Sequence, residues 1–167
     1  GATIGLELLA RFPDRVRTLL AHEPPLVTLV DDAARWRAWY EDLVEINEKV
    51  GTRTSFDYFF AHLVSDGAGE QPQVSVPDSH LPEWDVYFRR ELRRIVAYEP
   101  DAVALKNVRD ALVPVIGADS RAYWHGRAVL TLGEQVGVET AEVPGGHLAP
   151  VYQPVPFHEA IRERLSG

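Results

Sequence analysis

Neither cysteine nor methionine occurs anywhere in the 167 residues. The first absence removes disulfides, thiolate nucleophiles and Cys-ligated metals together. The second, which includes an initiator, leads to the expectation that this stretch is a piece of a longer polypeptide. Basic charge is also scarce. Lys and Arg number 17 against 25 Asp and Glu, giving a net charge of -8, and the few Lys and more frequent Arg are scattered among acids instead of forming a stripe. Such a surface suits a phosphate backbone poorly, so nucleic acid is not an expected partner. No apolar run approaches the roughly 20 residues that span a bilayer, and the first residues lack the charged-then-apolar order of a secretory signal. A soluble, cytoplasmic chain with no membrane partner is expected. Nor is there a G-x-G-x-x-G, a G-x-x-x-x-G-K-[ST] or an H-E-x-x-H, and the six His have no spacing that gathers metal ligands. Neither a metal nor a cofactor is expected.

What is present is enough apolar residue, 46% with four Trp, to build a sizeable core. Residues 2–12 carry Ile4, Leu8, Leu9 and Phe12 at helical spacing, Pro13 ends that helix, and 16–21 reads as a short buried strand. Three helical segments follow. The first, 31–50, opens on Asp at a candidate N-cap and closes at Gly51; the second, 54–64, is rich in aromatics; the third is 83–97. Between 65 and 82 the density of Gly, Pro, Ser and Asp marks a loop. From residue 100 the rhythm changes to short helix 101–109, strand 112–117, helix 122–136, strand 138–143, loop PGGHLAP and a last helix near 156–165. Alternating strand and helix argues an α/β class: a parallel sheet with helical crossovers, interrupted by a helical insertion. The expected division is a sheet-bearing core from 1–27 and 100–167, with a helical cap from 28–99.

Ligands of open α/β sheets collect at the carboxyl ends of strands, which singles out His22-Glu23, Asp119-Ser120-Arg121 and His147. A carboxylate beside an imidazole fixes its tautomer and stabilises the imidazolium, the minimum for orienting a general base. Structural readings compete. His22 is read as a strand-end residue, Glu23 as the stiff exit before Pro24-Pro25, and Asp119 as a helix N-cap. His147 is the exception, because two preceding glycines let its loop approach closely and packing alone does not explain a histidine there. His62, His80, His125 and His158 are read as surface or packing residues.

Taken together, these stretches resemble the carboxy-terminal part of an α/β-hydrolase, from just after the nucleophile elbow to the end. GATIGLELLARFPDRVRTLLAHEPPL is similar to the stretch that begins at the last Gly of that G-x-S-x-G turn, and VPGGHLAP is similar to the turn that carries the catalytic His. The resemblance implies an incomplete α/β-hydrolase fold whose nucleophile lies two residues before Gly1. It implies His147 as the general base and, as the acid, Glu23 or Asp119. Many members place Asp three residues after the Gly that ends the penultimate strand; Ser120 stands there and Asp119 falls one short. Others, the haloalkane-dehalogenase-like ones, carry a Glu directly after the strand that follows the elbow helix, where Glu23 stands, and Glu23 is preferred. The implied reaction is hydrolysis of an ester, lactone or related acyl bond of a small-molecule substrate, with Trp36, Trp39, Phe59, Phe60 and Trp84 of the cap lining the pocket. Two alternatives stand beside it: a non-catalytic hydrolase-like interaction module, and dehalogenase-type chemistry with an Asp nucleophile. The resemblance also implies an open strand edge near 16–21 that would pair with the amino-terminal part or with a second copy of the chain.

Overall fold

In the computed structural model, residues 1–63 and 74–165 are described. They divide into two compact units, one from residues 1–30 with 98–167 and the other from 31–97. The larger unit begins with α1 (Ala2–Arg11), which buries Thr3, Leu6 and Leu9 and exposes Ile4 and Leu8, with Phe12 exposed at its C-cap. Among the described residues its sheet has three strands, all parallel, in the order β1 (Leu19–His22), β2 (Leu112–Gly117), β3 (Ala141–Val143). Leu19 sits opposite Leu112 and His22 opposite Val115, while Val115 faces Ala141 and Gly117 faces Val143. Because the strands run the same way, all their carboxyl ends share one side of the sheet. That side receives Glu23, Ala118 and the loop after Val143. The central strand β2 is buried almost throughout, as a strand covered on both faces should be. Around the sheet are α6 (Ala102–Asn107), α7 (Trp124–Val136), α8 (Ala149–Tyr152) and α9 (Pro154–Leu165). Asp101 caps α6 by accepting the Ala104 N–H at 2.9 Å.

The mixed α/β class with a small parallel sheet is therefore observed, and the differences from expectation lie at element ends. The first strand starts at Leu19 and not at residue 16, since Pro13–Arg15 forms a short 3-10 turn that delays entry into the sheet. The last strand is Ala141–Val143 and not 138–143, because the Val138 N–H is spent closing α7 on the Gly133 carbonyl at 2.9 Å. Neither Asp119 nor Ser120 caps α7: Ala118–Ser120 makes its own 3-10 turn, and Tyr123 takes the N-cap position without a side-chain bond.

The second unit, 31–97, contains helices α2 (Ala33–Lys49), α3 (Thr52–Leu63), α4 (Leu81–Val86) and α5 (Leu92–Val96). The single helix expected over 83–97 is interrupted by a π-helical turn at Tyr87–Glu91, which joins α4 to α5. Of the loop expected over 65–82, residues 65–73 lie outside the described residues, 78–80 form a 3-10 turn, and α4 already begins at Leu81. The Ser55 hydroxyl donates to the Leu43 carbonyl at 2.7 Å and ties α3 to α2. Exposed pairs such as Arg93 with Glu41, at 2.8 Å, decorate the outside. No helix among the described residues is long and apolar enough to cross a membrane.

Candidate active site

Glu23 leaves the end of β1 with φ +40, and among the described residues it alone, apart from glycines, adopts a positive φ. Holding a non-glycine residue in that region costs on the order of 1–3 kcal/mol, so other interactions must fix it there. They are visible. The Glu23 N–H donates to the Val115 carbonyl at 3.0 Å, continuing the sheet by one residue, and Pro24-Pro25 follow directly. Its side chain, fully buried, accepts the Gly117 N–H on Oε1 at 2.7 Å. The other oxygen, Oε2, lies 3.0 Å from Nδ1 of His147.

His147 reaches this position from the loop after β3. Gly145, at φ +79, makes the turn that a side chain would strain, and its carbonyl accepts the Asp119 N–H at 3.0 Å. The same loop lies so near the end of β2 that a Cβ on Gly117 would collide with the Gly145 carbonyl oxygen. Strand end and loop are thus clamped together, which places the imidazole over the carboxylate. An ionised Glu23 only accepts, so Nδ1 of His147 carries the proton and Nε2 is the nitrogen left for chemistry. The His147 side chain is 23% exposed while Glu23 is closed off entirely.

Burial works against ionisation of Glu23, yet the hydrogen bond from His147, the charges of neighbouring imidazoles and the Gly117 N–H outweigh it and bring its pKa from 4.5 to about 2. The carboxylate is charged at neutral pH. Two further imidazoles surround it. His22 has Nε2 3.9 Å from Glu23 Oε1, stacks parallel to His147 at 6.0 Å between ring centroids, and meets the edge of Phe157 at 5.0 Å. His125, on the first turn of α7, has Nε2 3.2 Å from Glu23 Oε2 and its ring 4.4 Å from that of His147. Burial lowers the pKa of both; for His125, with His147 adding to the effect and Glu23 opposing it, the value falls to about 3. Both are neutral at pH 7. Glu23, His125 and His147 offer donor atoms within 4.8 Å of one another, a two-imidazole, one-carboxylate set of a type that first-row metals accept. In this structure Nδ1 of His147 is hydrogen-bonded to Glu23 Oε2, so a metal held through those two atoms would displace that bond.

Asp119, the other candidate acid, is exposed on the turn after β2, and its described bond is through its backbone N–H. Ser120 beside it is fully buried, with a hydroxyl that lacks a hydrogen-bond partner. The five aromatic candidates all belong to the 31–97 unit and touch in sequence. Trp36 meets Trp39 edge-on at 5.8 Å, Trp39 stacks on Phe59 at 5.9 Å, and Phe59, Phe60 and Trp84 form a triangle with sides of 5.1, 5.5 and 6.1 Å. Trp36, Trp39 and Phe59 are buried, whereas Phe60 and Trp84 are half-buried.

No family model matches the chain. It is similar to the protein named uncharacterized hydrolase YraK of Bacillus subtilis (strain 168), with 29% identity over 171 residues that take in 99% of this chain and 59% of the relative. The chain thus spans 59% of the length of that curated relative.

Proposed function

We propose that these residues form the carboxy-terminal part of an α/β-hydrolase that cleaves an ester, lactone or related acyl bond. The observation that carries this reading is the 3.0 Å contact between Nδ1 of His147 and a buried, ionised Glu23 at the carboxyl end of a parallel sheet. In the proposed mechanism a serine of the whole protein, outside these 167 residues, attacks the carbonyl while His147 Nε2 accepts its proton and passes it to the leaving group. Glu23 fixes the tautomer and stabilises the imidazolium, with Asp119 too exposed to replace it. A name of hydrolase on a relative that is longer than this chain supports the reaction class and the idea of a nucleophile carried elsewhere. The aromatic residues of 31–97 are proposed to select an apolar substrate.

The rest of the protein is proposed to pack on the edge of β1 that has no strand beside it among the described residues, and on the apolar stripe of Ile4 and Leu8 of α1 with Phe12 at its C-cap, which are 72%, 44% and 51% exposed. Hydrolysis of p-nitrophenyl butyrate by the whole protein tests the function. We expect turnover that falls by about a thousandfold or more in His147→Ala. An inactive whole protein, or a His147→Ala variant with full activity, overturns the reading.

A further inference from the structure

His125 is 1% exposed, and neither of its ring nitrogens has an aligned hydrogen-bond partner. An apolar side chain at the second position of α7 would fill the same space without desolvating two nitrogens, so packing alone is a poor reason for an imidazole there. What the imidazole adds is an N–H beside a carboxylate. Its Nε2 stands 3.2 Å from Oε2 of Glu23, the oxygen that also meets His147 Nδ1. The ring is held in place by Tyr123, stacked at 5.8 Å, and by Trp124, edge-on at 5.4 Å.

Resting on the hydrolase reading above, we propose that His125 is a positioning residue: its neutral imidazole presents Nε2–H to Glu23 Oε2 and keeps the carboxylate aimed at His147 while the base gains and loses its proton. A carboxylate oxygen has two lone pairs and accepts both N–H groups. With Oε1 tied to Gly117, the Glu23 side chain is then fixed at both ends. The contact has hydrogen-bond length but not alignment, a common state of catalytic contacts before substrate binds. The groups that face His125 are Glu23 and His22 from β1 and its exit, His147 from the loop after β3, and Tyr123 from the start of its own helix. A cationic His125 would repel the imidazolium of His147; burial keeps it neutral.

The test uses the whole protein with p-nitrophenyl butyrate and two variants, His125→Phe and His125→Gln, the second keeping an N–H at similar reach. In His125→Phe, kcat should fall about tenfold with KM unchanged, and the acid limb of the pH–rate profile should move to higher pH because the full carboxylate charge now acts on His147. His125→Gln should restore both. If the Phe variant does not fold, His125→Asn takes its place: its amide is buried but too short to reach Glu23, so it should show the loss that Gln does not. The downfield proton resonance of the N–H shared by His147 and Glu23 reports the same geometry without turnover, and should broaden in the Phe or Asn variant and return in Gln. Wild-type kcat, pH limb and resonance in His125→Phe, or equal damage in Phe and Gln, overturns the proposal. An inactive parent protein sinks the hydrolase reading alone, and the resonance still decides for or against His125.

Discussion

Residues 31–97 bury aromatic rings against other rings, whereas the sheet-bearing unit buries a charged carboxylate among imidazoles. In the first, Phe56 and Phe88 are wholly enclosed and gain from the water they exclude, an interaction with little dependence on direction or pH. In the second, Glu23 must be paid for by hydrogen bonds to Gly117 and His147, and its backbone is held in a left-handed conformation. The contrast teaches that burial alone says little about purpose. An enclosed ring needs no explanation beyond stability, while an enclosed, strained and ionised carboxylate is best explained by what it holds.

The sharpest way to break the comparison is a large-to-small change in the aromatic unit. Phe56 is fully buried and packs on Trp84 at 4.8 Å and Phe60 at 4.7 Å. Phe56→Ala should cost about 3–5 kcal/mol, measured by urea unfolding followed through Trp fluorescence. If aromatic packing is as interchangeable as the comparison holds, Phe56→Leu recovers most of that loss. A Leu variant as damaged as Ala would mean that this ring, too, is held for geometry.

Acid separates the two units next. The folded pKa of Glu23 is depressed to about 2, so its contribution is present above its unfolded value of 4.5 and is lost as pH falls from there towards 2. His125 is likewise depressed, to about 3, so the unfolded chain takes up a proton first and stability declines as pH falls from 6.5 towards 3. Both signs agree. The stability of the sheet-bearing unit should therefore fall continuously from pH 6.5 down to pH 3, read as a falling urea midpoint. His125→Phe should flatten the part of that curve between pH 6.5 and 4.5. A parent protein with a level midpoint across this range would show that the nest carries no such linkage.

Much of the sheet-bearing unit is legible in the sequence because the signals are local. The apolar run of β2 and the strand-helix alternation need only neighbours, and Glu23 and His147 can be singled out because each follows a strand. Element ends are less legible. Val138 belongs to a helix closure rather than to β3, and the π-helical turn at Tyr87–Glu91 leaves no periodicity that distinguishes it from α-helix over five residues. Least legible is His125. It lies in the run Trp124-His125-Gly126 with no motif around it, and its nearness to Glu23 arises from how α7 returns to the sheet across 102 positions of sequence (125 minus 23). The positive φ of Glu23 is equally silent, since glutamate is not a residue that announces it.

The smallest expected effect tests whether polar contacts in the aromatic unit are of the same kind as those around Glu23. The Ser55 hydroxyl, fully buried, donates to the Leu43 carbonyl at 2.7 Å, a neutral bond between two helices that serves no charge. Ser55→Ala removes the donor without creating a hole much larger than one oxygen, and leaves a carbonyl with its helical bonding intact. The cost should be about 1 kcal/mol, the usual net worth of such a bond, and it should be the same at pH 5 and pH 7 because neither partner titrates. Urea midpoints at the two pH values measure it. A cost that changed with pH would tie Ser55 to a titrating network, and the division between a packed aromatic unit and an electrostatic nest would no longer hold.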